Sequence, residues 1–262
     1  MAQKVIVLVR DIRMLMPRLG GKKLYFLLKD KLSLLKVGRD KLFRILKANH
    51  MLIIPKRSYH ITTDSHHRFR KHKNLVSTMD IEEPESVWVS DITYVGTRTN
   101  PSYLALITDA YSKKIVGYDV SKSLSMDGSL RALEMAVNNR KHKESPLIHH
   151  SDRGLQYCSN EYQRLLEKNE IKPSMTEKYD PYENAIAERI NGILKQEFSV
   201  AQKINDFKVK KKLVKNAIEI YNNIRPHLSN QMLTPKQMHV QKKIRPKQYK
   251  SKKLNNDVIV QL

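Results

Sequence analysis

The sequence predicts an α/β protein: a mixed β-sheet layered with helices, preceded by a helical region and followed by a basic helical extension. Two observations carry this prediction. Three consecutive short segments between residues 87 and 120 are rich in β-branched and aromatic residues and end in turn residues, the pattern of antiparallel strands. Beyond them, helical spacing and short apolar runs alternate up to residue 198, as crossovers in a mixed sheet require.

In residues 1–54 the spacing predicts short helices over Arg10–Met16, over Lys22–Asp30 after the Gly20-Gly21 break, and over Arg39–Asn49 after Gly38. In the last of these, Leu42, Ile45 and Leu46 fall at helical spacing while Arg39, Lys41, Arg44 and Lys47 face elsewhere. The region is helix-turn-helix-like with a basic outer face, which either contacts DNA through those four side chains or packs as a plain helical module. Residues 55–85 lack steady periodicity and read as a basic linker. His66, His67 and His72 lie close in sequence, but no thiol or carboxylate set completes a tetrahedral zinc site there, so phosphate contact or solvation is the simpler reading. The core, residues 86–200, is predicted as strands Val87–Val95, Tyr103–Thr108 and Ile115–Val120, helix Met126–Arg140, and strand Leu147–His150. Helix Ser159–Asn169, an extended piece at Pro173–Thr176 and helix Asn184–Phe198 complete it. Residues 201–262 form the basic helical extension and tail.

The 262 residues carry 49 Lys+Arg against 26 Asp+Glu, a net charge of +23 that solubility does not require. The excess is uneven: +14 in residues 1–80, −3 in 81–190 and +12 in 191–262. Basic flanks around an acidic centre fit a polyanion gripped on both sides of a carboxylate site. The most apolar short run, Val5–Val9, is five residues long and is followed by Arg10, Asp11 and Arg13, which excludes a membrane span there. A single cysteine, Cys158, excludes an intramolecular disulfide framework and a four-Cys zinc site. With no secretory signal visible, a cytoplasmic location is expected.

Three carboxylates in the acidic centre occupy places awkward for packing. Asp91 lies within Trp88-Val-Ser-Asp-Ile-Thr-Tyr94, inside a predicted core strand where an unpaired charge is expensive. Asp152 follows Ile148-His-His-Ser151 at a strand end, just before Arg153-Gly154. Glu188 sits early on a helix, in Asn184-Ala-Ile-Ala-Glu-Arg-Ile-Asn191. At about 100° per residue, Ile186, Ile190 and Ile193 share one face, while Asn184, Glu188, Asn191 and Lys195 form a polar stripe roughly 60° wide on the other. If the stripe faces the two strands, the three carboxylates can share divalent cations and Lys195 can reach a phosphate.

Asp152 and Glu188 are separated by 35 intervening residues. With this spacing, Trp88–Tyr94, His149-His-Ser-Asp-Arg-Gly-Leu-Gln-Tyr157 and Asn184–Glu188 resemble the motifs of the retroviral-integrase-like transposases encoded by bacterial insertion sequences. More narrowly, the chain resembles the OrfB-type transposase of two-reading-frame, copy-and-paste elements. Tyr221-Asn-Asn-Ile-Arg-Pro-His227 and Thr234-Pro235 match the segment expected after the triad helix. The resemblance implies an RNase H-like core with a D,D,35-E triad at Asp91, Asp152 and Glu188, holding two Mg²⁺ ions with Mn²⁺ able to substitute. It implies polynucleotidyl transfer on DNA: cleavage at the element's terminal inverted repeats, then strand transfer into target DNA. A multimer on DNA and a partner protein or frameshift fusion from an upstream frame are implied as well.

No covalent protein nucleophile is needed for that chemistry, so Cys158 and Ser151 read as structural. Glu183 and Glu197 are alternative third ligands, set aside because neither has the spacing of the motif. His149 and His150 either orient Asp152, ligate metal or pack at the strand end; Arg225 and His227 are candidates to brace the core. One departure stands out: with one cysteine the chain cannot build the His-His-Cys-Cys zinc module of retroviral integrases. The competing functional readings are a DNA-binding regulatory protein with a decayed core, and an RNase H-type nuclease acting on RNA–DNA hybrids. The intact triad with Lys195 in phase speaks against the first, and the motifs after the triad against the second.

Overall fold

The computed structural model of the chain describes residues 1–54, 71–96, 100–177, 184–241 and 244. Five strands, β1 (Val87–Tyr94), β2 (Tyr103–Asp109), β3 (Ile115–Ser121), β4 (Leu147–Ser151) and β5 (Ile171–Met175), form one sheet in the order β3-β2-β1-β4-β5. The first three are an antiparallel meander, and β4 and β5 run parallel to β1. The mixed sheet is therefore the one the sequence predicts, with β1 at its centre. Pro173 fits inside β5 because that strand closes one edge of the sheet, where a missing N–H removes no ladder bond on the open side.

Side chains alternate between the two faces, as strand geometry demands. Leu104, Leu106 and Val120 bury one face with α8 (Ala185–Glu197) and α9 (Phe207–Asn223). Ala105, Ile107 and Val116 bury the other with α5 (Met126–Asn138) and α7 (Asn160–Lys168). Gly117 lets α5 approach closely: a Cβ there would collide with the carbonyl oxygen of Ala132.

The N-terminal helices are α1 (Ala2–Leu15), α2 (Gly21–Leu27), α3 (Lys29–Leu34) and α4 (Arg39–Ala48). Helix α1 starts eight residues before the expected Arg10, because Val5, Ile6 and Val9 form its buried face. The helix expected over Lys22–Asp30 is broken at Leu28, where φ is −102° and ψ is 7°. Val5, Leu24, Leu42 and Leu46 share one buried cluster with Leu104 and Leu106, so the apolar core runs continuously from these helices to the sheet. A short helix, α6 (Leu155–Cys158), adds to the elements the spacing predicts.

The end of α9 and the segment after it are tied to the sheet and capped by the residues of the Tyr221–His227 and Thr234-Pro235 motifs. Tyr221 donates from its hydroxyl to Lys113 O at 2.8 Å, and the Asn222 amide pairs with both backbone groups of Ile115 at 3.0 and 2.9 Å. Asn222 thus covers the open edge of β3. Thr234 caps α10 (Pro235–His239) in a capping box with Gln237, and Pro235 occupies the first turn, where no N–H is needed.

Helix α10 is clasped to the opposite end of the sheet from the C-terminus of β1. His239 lies 3.4 Å from Glu85 Oε1 and 3.6 Å from Asp109 Oδ1, all three buried. Glu85 also accepts from the backbone N–H groups of Lys141 and His142, and Ser112 donates to Asp109. Burial alone would raise the Glu85 carboxyl, but the bonds from His239 and from those backbone groups outweigh it and bring it from 4.5 down to about 2. Burial likewise opposes charge on His239, yet its bonds to Asp109 and Glu85 hold its pKa above 6.5. A depressed carboxyl stabilises the fold above its unfolded value and loses that contribution as pH falls from 4.5 towards about 2. A raised imidazole contributes fully below 6.5 and loses its contribution as pH rises through its folded value. Urea unfolding should show this clasp at its strongest between pH 4.5 and 6.5, and Glu85→Gln should flatten the acid limb of the profile.

Candidate active site

The central strand and its parallel neighbour bring two of the three carboxylates together. Asp91, on β1 opposite Leu106, and Asp152, one residue past β4, both line a cleft of about 320 Å³ whose other walls include Tyr103, Leu124 and Tyr157. Asp152 is set by a tight turn: its Oδ1 accepts from Gly154 N–H at 3.0 Å, and a Cβ at residue 154 would stand 3.0 Å from that same oxygen. Glu188 is exposed in the first turn of α8.

The polar stripe of α8 does face β1. Asn184 Nδ2 donates to Ser90 O at 3.0 Å, and Asn191 Nδ2 donates to Asp91 Oδ2 at 2.7 Å. Both asparagines are buried, whereas Ala187, Ile190, Ile193 and Leu194 hold the helix in the apolar core. Lys195 is half-buried; desolvation lowers its pKa while the charge of Asp91 works to raise it.

The carboxylates feel one another. Burial pushes Asp91 up to about 7, the negative charges of Asp152 and Glu188 add to the rise, and the Asn191 bond works against it. Glu188 is raised by desolvation and by Asp152. Among the described residues, no three His, Cys, Asp or Glu side chains stand close enough together to hold one metal ion, so the three share an electrostatic field rather than a ligating cluster.

Two residues gain a place that sequence spacing alone did not assign. Asn191 was on the stripe, but its bond to Asp91 needed the helix docked on the sheet. Tyr157 lines the cleft with its hydroxyl buried and without a hydrogen-bond partner, and the charges of Asp152 and Asp91 add to burial in raising its pKa.

The alternatives resolve as packing. His149 Nε2 lies 2.6 Å from Ser90 Oγ and 2.9 Å from the Tyr162 hydroxyl, and burial lowers its pKa to about 3, so it is a neutral core residue. His150 is buried against Ser174 Oγ at 2.8 Å. Burial pushes the Cys158 thiol up to about 11, which makes a thiolate scarce. Ser151 donates to the carbonyl of Asp152. Glu197 receives both Arg225 Nε at 2.8 Å and Arg225 Nη2 at 2.7 Å, with Lys23 at 3.2 Å, and so ties α8 to α2 and to the end of α9. His227 stacks edge-on to Tyr221, with centroids 6.1 Å apart. On α4, Arg39, Arg44 and Lys47 are exposed and Lys41 is half-buried; none of the four lines the cleft, and Arg39 pairs with Asp40 at 2.9 Å. Glu183, His66 and His67 lie outside the described residues.

A mixed sheet with this strand order and a carboxylate cleft at the end of its central strands is the arrangement of an RNase H-like integrase core. Residues 81–181 and 169–235 each match a family described as integrase core domain. The insertion element IS600 uncharacterized 31 kDa protein of Shigella sonnei is 37% identical over 193 residues, covering 73% of this chain and 71% of that protein. The transposase InsF for insertion sequence IS3A of Escherichia coli (strain K12) is 34% identical over 155 residues, 59% of this chain and 54% of that transposase. The solved simian T-cell lymphotropic virus intasome, in complex with PP2A regulatory subunit B56 gamma, shares the fold with a TM-score of 0.53 at 18% identity, over 89% of this chain and 79% of that one. The chain belongs to the integrase-core family of insertion-sequence transposases.

Replacing Asn191 with Ala removes the bond that opposes the rise of Asp91, so carbon-13 titration of metal-free protein should place that carboxyl above about 7. Glu197→Ala leaves the Arg225 guanidinium buried and unpaired, and denaturant unfolding should show a loss of about 3–5 kcal/mol.

Proposed function

We propose that this transposase cuts DNA at the terminal inverted repeats of an insertion sequence and joins the freed 3′ end to target DNA, with Asp91, Asp152 and Glu188 as its catalytic carboxylates. The observation that carries the reading is the cleft in which Asp91 and Asp152 meet, with Glu188 within electrostatic reach on α8. The donor set suits hard divalent cations: all three are oxygen donors, and the mutual repulsion that raises Asp91 and Glu188 is what bound positive charge relieves. Two Mg²⁺ ions, or Mn²⁺ in their place, held by these residues would activate the attacking oxygen and neutralise the leaving one in an in-line displacement.

The chain's own residues do the positioning. Asn191 fixes the Asp91 carboxylate, the Gly154 N–H fixes that of Asp152, and the buried face of α8 sets the height of Glu188 above the sheet. Lys195, beside Asp91, contacts a phosphate adjoining the scissile one. Arg39, Lys41, Arg44 and Lys47 on α4 supply a further DNA grip in the region 1–54, next to the linker 55–85, the catalytic core 86–200 and the basic extension 201–262. Work on two element ends calls for a multimer on DNA, and a protein or fusion from an upstream frame is the expected partner. The site of action in this reading is the cytoplasm; no helix among the described residues is long and apolar enough to cross a membrane.

Asp152→Asn should leave the fold intact and reduce Mg²⁺-dependent cleavage and strand transfer on element-end duplexes by at least about a thousandfold, a loss of several kcal/mol of charge stabilisation. Undiminished activity would remove Asp152 from the mechanism.

A further inference from the structure

The carboxylate cleft leaves open where the DNA beyond the cut lies on the protein. Two lysines from different elements converge on a single ring: Lys122 Nζ and Lys211 Nζ each stand 5.2 Å from the centroid of Phe207. Two like charges held against one ring repel, so the arrangement favours an anion arriving beside them. Glu219, exposed one turn past Lys215, bounds the basic stripe of α9, and the two aspartates nearby are otherwise engaged. Asp119, whose field includes Lys211, is held by Arg131 at 2.8 and 3.1 Å. Asp206 caps α9 by accepting from the N–H groups of Lys208 and Val209.

The placement ties this pair to the cleft. Lys122 follows Ser121, which pairs with Tyr103, and precedes Leu124 by two residues; Tyr103 and Leu124 both line the cleft. Helix α9 begins at the same end of the sheet, since Lys210 Nζ donates to Ser102 Oγ, and it runs antiparallel to β3 until Asn222 meets Ile115. Its sheet-facing side is Lys210, Val214, Ala217, Ile218 and Tyr221. Beside that face Lys208, Lys211, Lys212 and Lys215 are exposed and fall within an arc of about 100°. These seven residue steps climb about 10 Å, the span of roughly three phosphates on one B-form strand.

We infer that the duplex flanking the scissile phosphate leaves the cleft across the end of β3 and lies along α9, its phosphates held by Lys122, Lys211, Lys212 and Lys215. The inference rests on the cleft being the site of DNA cleavage. All four lysines are exposed, so their replacement by glutamine does not disturb the core.

The test is a Lys122→Gln, Lys211→Gln, Lys215→Gln triple variant of the full chain, measured by fluorescence anisotropy on element-end duplexes over a range of salt. The dissociation constant is expected to rise at least about tenfold, and the log–log salt slope to become shallower by about 2 to 3, close to 0.9 for each phosphate no longer neutralised. Shortening the duplex on one side of the scissile phosphate should weaken the wild type much more than the variant, in which only Lys212 of the four lysines that grip that arm remains. If the wild type cuts DNA and the variant matches its affinity and slope, the α9 track is wrong and the cleavage reading stands. If the variant loses affinity and slope while neither the wild type nor Asp152→Asn cuts, the track stands as a DNA surface and the cleavage reading fails.

Discussion

The arrangement turns on one constraint: a carboxylate, Asp91, placed on the central strand of a five-stranded sheet. A charge there is opposed by burial and by the charges of Asp152 and Glu188, which together lift its pKa to about 7. The Asn191 amide, bonded at 2.7 Å, is the group that offsets this and holds the carboxylate in one orientation. Helix α8 must therefore dock with its polar stripe towards β1, and its opposite face then needs an apolar partner. That partner is the cluster built by α9, by the N-terminal helices and by Leu104 and Leu106 of β2.

Glu197 extends the same logic to the far end of α8. Its half-buried carboxylate pairs with the buried Arg225 and Lys23, and Arg18 N–H donates to its carbonyl at 3.1 Å, so three parts of the chain meet on one residue. A buried pair of this kind is weak evidence for net stability but strong evidence for register, since any shift of α8 leaves a charge without a partner. The helix that presents Glu188 at its start is thus fixed at its end by Arg225, 28 positions on, and by Lys23, 174 positions back. The +23 charge of the chain acquires a direction from the same scaffold, because α9 carries Lys208, Lys211, Lys212 and Lys215 exposed, outside the side it packs on the core.

Much of the candidate site could be read from the residues. Asp91 in a core strand, Asp152 before a glycine turn and Glu188 on a polar stripe were each out of place for packing, and the stripe's phase followed from helix geometry. The sheet was legible because β1, β2 and β3 are short, β-branched and bounded by turns. Helix α1 was cut short because Val5–Val9 is apolar at adjacent positions, and only the neighbours that cover Val5, Ile6 and Val9 distinguish a buried helix face from a strand. The break at Leu28 was hidden for a similar reason: Leu24, Leu28 and Leu32 keep helical spacing through it, and all are buried.

Local sequence determined the strands, the caps, the triad spacing and the basic flanks, since these depend on periodicity, turn chemistry and charge within a few residues. The tertiary structure decided which partner each buried polar group found. His149 became a neutral core residue through Ser90 and Tyr162, Glu197 a brace through Arg225, and Asn191 the support of Asp91. Those pairings join positions 13 to 100 residues apart, and such bonds are set by how the helices dock on the sheet rather than by any spacing along the chain.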